Sequence, residues 1–62
     1  MKRSDLMKRL RQIAKEDGVV LSVVEGGSHT KVHIGDRFVT VPRHSEINEF
    51  TAQGILRDAR GE

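Results

Sequence analysis

The chain has 62 residues, of which 35% are hydrophobic and 3% aromatic, and it contains no Cys. One small domain with a thin core follows, without disulfides or thiolate metal ligands. No apolar run approaches the ~18 residues of a membrane span, and no apolar segment follows Lys2 and Arg3 as in a signal peptide, so a cytoplasmic protein without a membrane partner is expected.

Charge is unevenly placed. Residues 1–15 hold Lys2, Arg3, Lys8, Arg9, Arg11 and Lys15 against Asp5 alone, a net of +5 in a chain whose total is +2, so the remainder carries −3. A basic N-terminal third suits a polyanion, most often nucleic acid. A solvated helix face is the plainer alternative.

In chain order, Ser4 is suited to cap a first helix over Asp5–Asp17. Leu6, Leu10 and Ile13, with Met7 and Ala14 beside them, follow helical spacing, and Gly18 fits the C-terminal cap. Lys8, Arg11 and Lys15 recur at intervals of three and four, which lines them up as one outward stripe and as the phosphate-contact candidates.

The run Val19–Val24 is β-branched and reads as a strand. Gly26-Gly27 breaks it. Thr30–Ile34 and Arg37–Val41 alternate, with Gly35-Asp36 between them as a two-residue type II′ or I′ hairpin turn. That register pairs Ile34 with Arg37 and Val32 with Val39. Val32, Ile34, Val39 and Val41 then share one face, and Lys31, His33, Phe38 and Thr40 the other, joined by His29 if the strand starts that early.

Pro42 ends the third strand and Arg43–Glu46 reads as loop. A second helix covers roughly Asn48–Arg60, with Ile47, Phe50, Ile55, Leu56 and Ala59 as its apolar side and Gly61 at its end. Gly54 inside it costs up to ~1 kcal/mol against Ala, so a close approach is expected there. The fold class is α+β, in the order αβββα. Two helices cover one face of a three-stranded antiparallel sheet and leave the other open.

His29 is the leading candidate for chemistry. It sits at the mouth of a strand behind two glycines and a serine, and His is the side chain whose ordinary pKa of ~6.5 lies nearest neutrality. An exposed loop His without a role is the alternative. His33 lies about 13 Å along a regular strand from His29, too far to share one metal ion or flank one phosphate. It reads as a sheet-face residue able to stack on a base, or simply as solvated.

Ser28 and His29 would point to opposite faces of an extended segment, out of reach of each other, so a Ser-His-Asp triad is not expected. No metal-ligand spacing is present. The backbone amides near Gly27 and Ser28 offer weak contacts to a phosphate oxygen. Lys31, about 6.6 Å from His29 on the same strand face, is placed to neutralise charge in phosphoryl transfer. Phe38 is a stacking platform or a patch for a protein partner.

Gly27-Ser28-His29, the strand Thr30–His33, Arg37–Pro42 and Ile55–Ala59 together resemble the HicA family. So does the opening Ser-x-x-(apolar)-(basic)-(basic)-Leu at Ser4–Leu10. These are small toxins of type II toxin–antitoxin systems, and the likeness spans nearly the whole chain, residues 1–62.

The resemblance implies a fold like a double-stranded-RNA-binding domain. It implies endoribonuclease activity on mRNA, with His29 as the catalytic residue and no cofactor. It also implies a HicB-like antitoxin, encoded nearby, that covers the active site; an open sheet face carrying His33 and Phe38 would be its contact. HicB proteins often also bind operator DNA. The chain departs from the family in having Thr30 after the catalytic position, where many members have a second His or a bulky residue. It also has Glu46 and Glu49 where the start of the second helix is commonly basic, which argues against orthodox double-stranded-RNA binding.

Two functions from different classes compete. One is a metal-independent endoribonuclease that uses His29 as general base or acid. The other is a non-catalytic RNA-binding module of the same fold, which needs the basic stripe and has no use for His29. A protein-interaction subunit presenting Phe38 is a third.

Overall fold

The computed structural model describes all residues, Met1–Glu62. The elements are α1 (Arg3–Asp17), β1 (Leu21–Glu25), β2 (His29–Ile34), β3 (Arg37–Pro42) and α2 (Glu49–Ala59). The strands form one antiparallel sheet in the order β1-β2-β3, and the helices cover one side of it. The αβββα order and the open sheet face are as the sequence leads one to expect. Neither helix is long and apolar enough to cross a membrane.

The β2–β3 register pairs Ile34 with Arg37 and Val32 with Val39, as turn chemistry requires. Gly35 has φ 62° and no non-glycine residue has positive φ, so the turn is of the II′ and not the I′ kind. Alternation then separates two faces. Thr30, Val32, Ile34, Val39 and Val41 are buried under the helices. His29, Lys31, Phe38 and Thr40 are exposed on the other face, with His33 half-buried among them.

The core joins that sheet face to Leu6, Met7, Leu10, Ile13 and Ala14 of α1, to Ala52, Ile55, Leu56 and Ala59 of α2, and to Ile47 just ahead of α2. These positions recur at three- and four-residue intervals, which is why each helix buries one stripe.

Four boundaries or contacts differ from expectation, each for a physical reason. α1 begins at Arg3 with Lys2 as its cap residue, and no side chain caps it, so Ser4 is not the N-cap. The chain ahead of α1 instead pairs with the loop before α2: Lys2 bridges Glu46, and Arg3 N–H donates to Ser45 O. β1 starts two residues late, because Val19 N–H completes the end of α1 on Ala14 O and Val20 O accepts from Gly35 N–H.

Phe50 is not part of the apolar side of α2; it is 89% exposed. The buried stripe of α2 runs through Ala52, Ile55, Leu56 and Ala59, and Phe50 lies two residues, some 200° of helical turn, from Ala52. Nothing approaches Gly54 closely, since a Cβ built there meets no atom within 4 Å.

Two arginines fasten opposite ends of the sheet. Arg37 donates to Ala59 O at 2.9 and 3.1 Å and to Asp17 at 3.0 Å, which ties the ends of both helices to the start of β3. At the other end Arg3 donates to Pro42 O at 3.0 Å and to the Thr30 hydroxyl at 2.7 Å. Both helices therefore start at the end of the sheet where β2 begins with His29.

Candidate active site

The β1–β2 connection is held in a narrow shape. Gly26 N–H donates to His29 O at 3.0 Å. A Cβ on Gly26 would meet that same carbonyl oxygen at 3.1 Å, so a larger residue there would push the turn open by a few tenths of an ångström. Gly27 has open space around it. With no side chain over it, the turn leaves His29 uncovered.

The result is a shallow cleft of about 290 Å³, floored by Gly26, Gly27 and Ser28 and walled by His29, Lys31 and Thr40, with Val24 at its edge. The structure thus brings together His29, Lys31, Gly27 and Ser28, the residues singled out for chemistry at this end of the chain. Neither Gly27 nor Ser28 donates its amide to a backbone carbonyl, so both N–H groups are free for a ligand. No carboxylate lines the cleft.

One expectation about this turn is overturned. Ser28 Oγ lies 3.4 Å from His29 Nδ1, so the two side chains do approach each other. The opposite-face argument assumed an extended segment, whereas residues 27 and 28 form a bend. The separation is longer than the ~2.7–2.8 Å of a good hydroxyl bond, and no carboxylate stands behind the imidazole, so a triad is still absent.

Lys31 serves two neighbours. It lines the cleft, and its Nζ rests 4.9 Å from the centroid of the Phe38 ring. Phe38, 55% exposed, also lies 5.6 Å from His33 ring to ring, across the β2–β3 pairing. His33 and Phe38 are therefore a packed pair beside the cleft, on the open face.

The stripe on α1 is exposed as expected at Lys8, Arg11 and Lys15. None of the three lines the His29 cleft. Arg11 and Lys15 instead flank a separate groove with Gln12 and Glu16. Nowhere do three His, Asp or Glu side chains gather as a metal site would need.

Sequence reasoning missed the group that holds the turn from behind. The Thr30 hydroxyl is fully buried; it accepts from Arg3 and donates to Glu25 at 2.7 Å. Glu25 also accepts from Arg43 at 2.8 Å, and Arg43 donates to Gly26 O at 2.6 Å. A signal was available: Thr30 alternates with Val32 and Ile34, and a hydroxyl on the core side must find partners.

The Thr30 hydroxyl and then the Arg43 guanidinium hold the Glu25 carboxyl below its ordinary value of 4.5. A lowered carboxyl stabilises the turn at neutral pH and loses that effect as pH falls through the folded value. The amide resonances of Gly26–His29 should therefore shift together at a pH below 4.5. In Glu25→Gln that transition should vanish. Its persistence there would show that another group titrates.

No family model matches the chain, and neither a curated protein nor a solved structure does.

Proposed function

We propose that the chain is a metal-independent endoribonuclease, a toxin of the kind its likeness to the HicA family implies, acting on mRNA in the cytoplasm. The observation that carries this reading is the uncovered His29 beside Lys31 and two free backbone amides in one cleft. The protein offers no activated nucleophile of its own there, so the natural nucleophile is the ribose 2′-OH next to the scissile phosphate.

In that reaction the 2′-oxygen attacks phosphorus while the 5′-oxygen leaves. His29 takes the proton from the 2′-OH while water protonates the leaving 5′-oxygen, or protonates the 5′-oxygen while water takes the 2′-OH proton. The amides of Gly27 and Ser28 and the Lys31 ammonium meet the charge that builds on the phosphorane oxygens. Lys31 has a flexible four-carbon stem, so its ammonium can leave the Phe38 ring for the phosphate. Lys8, Arg11 and Lys15 are left to hold the RNA backbone away from the cleft, which requires a strand long enough to reach round the end of the sheet. A HicB-like antitoxin would silence the toxin by lying on the open face over His33, Phe38 and the cleft.

The test is incubation of purified protein with end-labelled mRNA in EDTA. Cleavage should persist, and products should end in a 2′,3′-cyclic phosphate or a 3′-phosphate. Products with a 3′-OH, or activity lost to chelator and restored by Mg²⁺, would sink the mechanism. RNA bound but left whole would instead favour the non-catalytic RNA-binding module.

A further inference from the structure

Gly54 sits in mid-α2, where glycine weakens a helix relative to alanine, and internal packing does not call for it. What its missing side chain creates is space outside the fold. It forms the floor of a groove of about 320 Å³, walled by Phe50, Gln53, Arg57, Arg60 and Glu62. That volume is at the lower end of the ~300–1,000 Å³ typical of small-ligand sites.

Phe50, Gly54 and Arg57 follow one another at intervals of four and three, so they form a single strip along the helix. An exposed aromatic ring stands at one end of the strip, a gap in the middle and a guanidinium at the other. Phe50 is the only apolar side chain of the wall, and Arg57, Arg60 and Glu62 are charged. Arg57 and Arg60 outweigh the one acid, Glu62, which lies 3.5 Å from Arg60.

The cationic surface does not stop there. Arg60 also walls an adjoining groove with Arg9, Gln12 and Glu16. Gln12 and Glu16 in turn border the groove of Arg11 and Lys15. A continuous track thus crosses the helix layer from α2 to the α1 stripe.

We propose that the Phe50–Arg57 groove binds one unpaired nucleotide of a single-stranded RNA. The base stacks on Phe50 over Gly54, and the phosphate is held by Arg57 and Arg60. An aromatic platform beside cations is the chemistry that single-stranded nucleic acid selects, since every base offers a π-face. The groove lies on the helix side of the sheet and shares no residue with the His29 cleft, so it anchors a strand and takes no part in bond cleavage. Only the identity of its ligand as RNA rests on the function proposed above.

The test is an NMR titration of isotope-labelled His29→Ala protein with a short single-stranded RNA, with adenosine 5′-monophosphate and with inorganic phosphate. RNA and the nucleotide should shift the signals of Phe50, Gly54 and Arg57. Phosphate alone should act more weakly. Gly54→Leu fills the groove while improving helix propensity, so the fold survives. It and Phe50→Ala should each weaken RNA binding roughly 5- to 150-fold, as loss of one stacking contact does.

Shifts confined to the His29 cleft would overturn the proposal. So would wild-type affinity in Gly54→Leu, or equal binding of phosphate and nucleotide. The cleavage assay decides the other reading separately. Groove binding without mRNA cleavage leaves this site standing and removes the nuclease, and cleavage with a silent groove does the reverse.

Discussion

His29→Ala should reduce RNA cleavage by about 10²- to 10⁴-fold, the usual contribution of one general acid or base, and should leave the fold intact. The side chain is exposed, and its one recorded polar contact is the long approach of Ser28 Oγ at 3.4 Å. Removing such a group costs within ~0.5 kcal/mol of stability. The turn itself survives, because Gly26 bonds to the backbone carbonyl of His29 and not to its ring. Circular dichroism and thermal melting establish the fold, and labelled mRNA the activity. Ser28→Ala separates the two neighbours: it should retain most of the activity, since Ser28 does not ligand the imidazole closely. A folded His29→Ala protein that cleaves at the wild-type rate would remove His29 from the mechanism.

Leu10→Ala should unfold most of the isolated protein at room temperature. Leu10 is at 0% exposure in mid-α1, within the single cluster that holds both helices to the sheet. Truncating a fully buried leucine costs about 2–5 kcal/mol, through lost burial plus the cavity left behind. A single core in a domain of this size supplies about 3–5 kcal/mol in all. The two quantities are comparable, so little folded population remains. Urea denaturation checks this: the midpoint should fall close to zero denaturant. A partner that binds only the folded form at a thousandfold excess over its Kd would add about 4 kcal/mol and restore the variant. A variant that melts within a few degrees of the wild type would show that the two helices hold on without this side chain.

What could be read from the residue order was whatever is local. The β2–β3 hairpin was legible because Gly35-Asp36 fixes its turn and the alternation around it fixes its faces. The helix stripes were legible at Leu6, Leu10 and Ile13 because their spacing is helical. Phe50 was misplaced because an aromatic residue three positions after Ile47 looks like part of the same stripe, while the stripe is actually set by the small Ala52 and Ala59. The Ser28–His29 approach was hidden because strand geometry was extended one residue into a bend. Single hydrogen bonds of the Arg3–Thr30–Glu25–Arg43 group span up to 27 positions, and no pattern of neighbours announces it. The sequence places His29, Lys31 and Thr40 on one face with Gly27 and Ser28 at its end; Val24 at the cleft's edge and the group behind the turn are not legible in it.

That structure has a consequence for how such a protein can change over time. Glu25 and Thr30 are paired across β1 and β2 on the helix-facing side, whereas Val24, His29, Lys31, Phe38 and Thr40 share the opposite face or its rim. The contacts that fix the turn and the open face of the proposed site are therefore carried by different residues. Substitutions at Val24, Phe38 or Thr40 can alter what is recognised without disturbing Arg3, Glu25 or Arg43. The frame and the open face can therefore change independently, and an inhibitor of the kind proposed above would have to match those same few positions.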